Sequence, residues 1–132
     1  SDKVADKAIK MTKEAGVNIM GNFIFGLPGD NEYSMQASLD MAVKNNFEFI
    51  NFYVALPYPG SEWWDKTDRR EYDWTRYSQF SPKICAPKEF VEFRDKAFET
   101  YLNRYEYQKM IKDKFGNQAV EHIKEILNWK FR

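Results

Sequence analysis

Apolar and polar positions along the chain change period several times, and the changes divide it into elements. From Asp2 to Ala15 the residues Val4, Ala8, Met11, Thr12 and Ala15 recur at helical spacing, with lysines and Glu14 on the other faces. Gly16 follows as a helix-ending glycine. Val17 to Phe25 is rich in β-branched and aromatic residues and nearly continuous in hydrophobicity, which predicts a strand covered on both faces. Gly26-Leu27-Pro28-Gly29-Asp30 reads as a turn. Met35, Leu39, Ala42 and Val43 then mark a second helix, with Asp30 or Asn31 placed to cap it. Phe47 to Val54 repeats the strand composition.

Helix, strand, helix, strand with short connections is the order of parallel strands joined by helical crossovers. A short helical piece is expected around Trp63 and Trp64. Residues 68–87 keep neither period and mix charges with Tyr72, Trp74, Tyr77 and Phe80, which predicts an irregular, aromatic-pinned loop. Helix returns at Lys88. One stripe runs through Phe90, Arg94, Ala97, Phe98, Tyr101, Leu102 and Tyr105, and after a break at Phe115-Gly116 another runs through Val120, Ile123 and Leu127. The expected organisation is an α/β part over residues 1–67, the loop at 68–87 and a helical extension over 88–132. Two parallel strands cannot cover a sheet by themselves, so the α/β part reads as a piece of a larger sheet.

Composition narrows the partners. Twenty basic residues balance twenty acidic ones, leaving no net field to hold the chain on phosphate backbones or anionic membranes. Nucleic acid and membrane are therefore not expected partners. The uncharged stretch from Val17 to Gly29 is well short of a bilayer span. One cysteine, Cys85, offers no internal disulfide, and with no apolar leader at Ser1 this favours the cytoplasm.

The stretch from Gly21 to Asp30 carries the candidate chemistry: a strand that runs through glycines into a helix start, where backbone N–H groups and close approach suit a ligand. It meets neither the phosphate-loop nor the dinucleotide pattern. Taken with Asn51-Phe52-Tyr53-Val54-Ala55-Leu56-Pro57-Tyr58-Pro59-Gly60-Ser61, it resembles the last two strand-and-loop segments of radical S-adenosylmethionine (radical SAM) enzymes, in the branch associated with cobalamin-binding domains. The resemblance covers residues 1–67 closely and the helical tail less specifically.

What that resemblance implies is a fold and a cofactor. The fold is the last two βα units of a partial parallel (βα)6 barrel followed by an α-helical C-terminal extension. The cofactors of the parent enzyme are S-adenosylmethionine and a 4Fe-4S cluster, with cobalamin in some members, and its act is reductive cleavage to a 5′-deoxyadenosyl radical. The residue matching Ile24 packs on adenine, Gly26 gives the backbone room, Asp30 orders the loop or caps the helix, and Ala55, Leu56 and Pro57 complete the adenine pocket. By alternation Asn22 and Ile24 share one face, as do Asn51 and Tyr53, so Asn22, Asn51 and Tyr53 are candidates for a cavity wall or for amides satisfied internally. The cluster's cysteine motif is absent, so this piece is expected to be inactive alone. Its expected partners are the rest of its barrel and the parent's small-molecule substrate, with self-association of the exposed sheet.

Other residues have plainer readings. Cys85 reads as a small apolar residue, His122 as a helix surface residue, and Trp63, Trp64 and Trp74 as core or domain contacts. Two rivals stand beside the enzyme reading: a non-catalytic interaction module built on the aromatic tail, and a phosphate-ligand site at the Gly29-Asp30 helix start.

Overall fold

The computed structural model describes residues 2–66 and 87–128. In chain order the elements are α1 (Asp2–Glu14), β1 (Met20–Phe25), α2 (Glu32–Asn45), β2 (Phe49–Val54), α3 (Glu62–Asp65), α4 (Lys88–Leu102), α5 (Tyr105–Phe115) and α6 (Asn117–Asn128). The strands pair in parallel, with Met20 opposite Phe49, Asn22 opposite Asn51 and Phe25 opposite Val54.

Why the helix boundaries fall where they do is local. Asn31 caps α2: its side chain accepts from the Tyr33 and Ser34 N–H groups, while the Ser34 hydroxyl accepts from the Asn31 N–H in a capping box. Asn46 closes the same helix in a left-handed conformation, φ 47°. Gly116, at φ 86°, separates α5 from α6 at the expected break. A second break at Asn103-Arg104 splits what the apolar stripe presents as one helix, and it leaves Tyr105 74% exposed at the start of α5.

One face of the sheet carries the core. Phe25 and Phe52 stack at 5.5 Å, and Phe98 and Tyr101 of α4 meet Phe52 edge-on at 5.2 and 6.0 Å. Met35, Leu39 and Ala42 of α2 pack on this layer, and Tyr107, Ile111 and Ile123 extend it through the tail. Burying a side chain such as Phe52 contributes about 1.5–3 kcal/mol.

The structure corrects three sequence expectations. The described residues form a two-stranded parallel sheet with six helices, a small α/β unit with a helical C-terminal part, and not the last two units of a partial (βα)6 barrel. Alternation of helix and strand dictates parallel pairing, but the number, tilt and stagger of strands that a barrel needs are not contained in it. Nor is the sheet covered on both faces: Met20, Ile24 and Phe49 stand 56%, 48% and 45% exposed. The apolar stripe of α1 is likewise open, with Val4 and Met11 on the surface. The first strand is shorter than its composition suggests: its register with β2 begins at Met20, with the Ile19 carbonyl before it accepting from the Phe49 N–H at 3.2 Å. All of the 68–87 loop except Pro87, Cys85 and Trp74 included, lies outside the described residues.

Candidate functional site

Both loops that follow the strands leave the same end of the sheet. The Ala55 N–H donates to the Phe25 carbonyl at 2.8 Å, so pairing continues one step past β2 and holds the second loop against the end of β1. Between the loops lies an open groove of about 420 Å³ walled by Ile24, Leu27, Tyr53, Ala55, Leu56 and Trp63 among others. Ligands of open parallel sheets characteristically bind beyond the carboxyl ends of the strands.

Asp30 builds the first rim. Its Oδ2 accepts from the Gly26 and Leu27 N–H groups at 3.0 and 3.1 Å, its Oδ1 accepts from the Ser34 hydroxyl at 2.8 Å, and its own N–H donates to the Leu27 carbonyl. Of the two helix-start residues, Asn31 is therefore the cap and Asp30 the loop organiser. This arrangement weighs against a phosphate site, since the N–H groups an anion would seek are occupied by a carboxylate that would repel it.

Gly26 needs to be glycine for a reason inside the fold. Its φ is +82°, and a Cβ there would sit 2.5 Å from the Phe90 ring of α4. Ser61 makes the second rim: its hydroxyl donates to the Tyr58 carbonyl at 2.8 Å and accepts from the Trp64 N–H at 3.1 Å, which starts α3.

On the open sheet face, register brings Asn22 beside Asn51 and Ile24 beside Tyr53. The Asn51 amide donates to Asn22 Oδ1 at 3.0 Å and lies 3.5 Å from Met20 Sδ. The two amides satisfy each other in part and sit below the groove rather than in its wall. Ile24, Tyr53, Ala55 and Leu56 are brought together at the groove. Gly26, Asp30 and Pro57 belong to the rims, and Pro57 is buried.

Sequence reasoning missed the buried polar cluster at the start of β2. Glu48 is 3% exposed, accepts from the Ile19 N–H at 2.9 Å and pairs with Lys114. Burial pushes its carboxyl up, but the Ile19 N–H and the Lys114 ammonium more than offset this and hold it below the ordinary value of 4.5. The Tyr101 and Tyr107 hydroxyls donate to the Phe47 and Glu48 carbonyls at 2.8 and 3.2 Å. Burial pushes the Tyr107 phenol up to about 12, aided by Glu48, and raises that of Tyr101 further. A charge between two aromatic residues was the available signal, but nothing in spacing pairs it with Lys114.

No protein-family model matches the chain, and no solved structure matches it. Curated proteins do. Over 82 residues, 58% of this chain, it is 35% identical to bacteriochlorophyllide d C-12(1)-methyltransferase of Chlorobaculum tepidum, of which those residues make up 18%. It is 28% identical over 79 residues to an uncharacterized methyltransferase of Pyrococcus horikoshii, with 57% of this chain and 17% of that protein matched. The C-8(2)-methyltransferase for bacteriochlorophyllide d from Chlorobaculum tepidum matches at 24% over 110 residues, 80% of this chain and 24% of that protein. The chain thus spans about a fifth of the length of the curated relatives it matches.

These names correct the identification drawn from the two loops. The likeness is to methyltransferase-like proteins, and the reading as a radical S-adenosylmethionine fragment gives way to it. The loop motifs misled because glycine and proline turns after parallel strands answer steric demands, here Phe90 against Gly26, that carry no information about radical chemistry. Neither the 4Fe-4S cluster nor cobalamin is named in any of these relatives. Among the described residues no helix is long and apolar enough to cross a membrane.

Proposed function

We propose that this chain is part of an S-adenosylmethionine-dependent methyltransferase and supplies the wall against which the adenosine of the cofactor lies. The observation that carries the reading is the groove at the carboxyl ends of β1 and β2, in a chain whose curated relatives are named methyltransferases. Its lining fits an adenine ring: Ile24 and Leu27 offer half-exposed apolar surface, and Ala55 and Leu56 complete the apolar wall. No charged side chain stands among the described residues lining it, so the methionyl amine and carboxylate find no counterion there. The described residues of the groove therefore hold the adenosyl end, and other groups hold the methionyl end. When bound, S-adenosylmethionine would supply the methyl group. Ile24 and Leu27 exclude water from the adenine face, and Asp30 keeps the rim closed behind it.

Calorimetric titration of the intact protein with S-adenosylhomocysteine tests this. Ile24→Glu, a change at a half-exposed position, is expected to weaken binding at least about tenfold, or 1.4 kcal/mol, with the melting temperature unchanged. Equal binding by both proteins, or none by the parent, would sink the reading.

A further inference from the structure

A second hollow lies beside the edge of β2 that pairs with no strand among the described residues, under α4, α5 and α6. It is half-enclosed, measures about 530 Å³ and is walled by Phe49, Tyr53, Phe98, Ile111, Ile123 and Ile126 among others. That volume is typical of small-molecule sites.

We infer that this hollow is a second ligand site, for a flat, uncharged aromatic molecule; that this molecule is the methyl acceptor rests on the reading above. Three features lead there. The buried charges on its wall are already paired, Glu48 with Lys114 and Arg94 Nε with Asp95 at 2.7 Å, and its other polar lining includes the Asn51 amide and the exposed His122, so its buried wall favours an uncharged guest. Phe49 and Phe115 on its wall are tilted by 36° to each other at 5.8 Å, and a flat guest can stack on one ring or meet the edge of the other. Phe49 and Phe115 are also 45% and 41% exposed, so a guest seated there would cover both rings at once.

Tyr53 sets the relation between the two sites. It lines both the hollow and the adenosyl groove, so the two spaces meet at this residue. A methyl acceptor in the hollow would then lie next to the adenosyl end of its donor.

The test uses prodan, an uncharged naphthalene dye, with isoleucine methyl NMR on the protein. Saturable binding is expected to shift the Ile111, Ile123 and Ile126 methyls. Ala119→Trp, which places a ring in the hollow from α6, should weaken that binding at least about tenfold, whereas Met11→Trp on exposed α1 should leave it unchanged. Should Ala119→Trp fail to fold, Ile126→Trp on the same helix replaces it. Shifts confined to Ile24, or equal affinity in the filled variant, would overturn the site. S-adenosylhomocysteine titrated into the same samples separates the two ideas: dye bound in the hollow with no cofactor binding upholds the site and removes the methyl-transfer reading. Cofactor binding without dye in the hollow does the reverse.

Discussion

The hydroxyl of Tyr101, a fully buried side chain, donates to the carbonyl of Phe47 at 2.8 Å, so the helical tail is fastened to the backbone just before β2. Those residues are 54 apart in sequence, and the bond fixes where α4 lies on the sheet. Tyr101→Phe removes the donor and leaves a buried carbonyl without it. A loss of about 1–3 kcal/mol is expected, read as a lower urea midpoint at unchanged slope. No change in the midpoint would mean that water replaces the hydroxyl.

Gly26→Ala meets two obstacles, a left-handed φ and the Phe90 ring. It should destabilise by about 1–3 kcal/mol. Adding Phe90→Ala should recover only the steric share, so a double-mutant cycle between the two positions is expected to be non-additive. Strict additivity would show that the ring plays no part.

Asp30→Ala strips acceptors from the Gly26 and Leu27 N–H groups and from the Ser34 hydroxyl. A stability loss of about 1–2 kcal/mol is expected, with faster amide exchange at Gly26 and Leu27. Asp30→Asn keeps one acceptor oxygen and should lose less. If the two variants behave alike, charge rather than hydrogen bonding holds the loop.

Glu48 gives the fold an acid sensitivity with a definite sign. Its folded value lies below 4.5, so its contribution is fully present above that pH and is lost as pH falls through the folded value. Lys114→Met removes one of the groups that hold the carboxyl down. The stability profile of that variant should be flatter below pH 4.5 than the parent's, and it should be less stable at neutral pH. A profile parallel to the parent's would assign the acid limb to other carboxylates.

Val4, Met11, Met20, Ile24 and Phe49 expose apolar surface on α1 and on one sheet face. The protein as this chain alone is expected to self-associate with rising concentration in sedimentation velocity, and Ile24→Lys with Met20→Lys should reduce this. A concentration-independent monomer would contradict the expectation.

Much of the local structure was legible in the residues. Period and capping located α1, both strands, α2 and the break at Gly116, because these depend on neighbours within a few positions. Alternation placed Asn22 with Ile24 and Asn51 with Tyr53, and the parallel register put the two pairs side by side. The turns after β1 and β2 were legible for the same reason, though not as rims of a barrel.

What only the tertiary structure decided was how far the sheet extends, why Gly26 is glycine, and where charges meet. Phe90 lies 64 positions beyond Gly26, and Lys114 lies 66 beyond Glu48. No spacing rule reaches that far, because such contacts depend on the path of the whole chain. Sequence alone determined that two parallel strands would end in two glycine-bearing loops. Packing of the helical tail decided that one of those glycines answers a phenylalanine, that Tyr53 borders two hollows, and that one face of the sheet stays open.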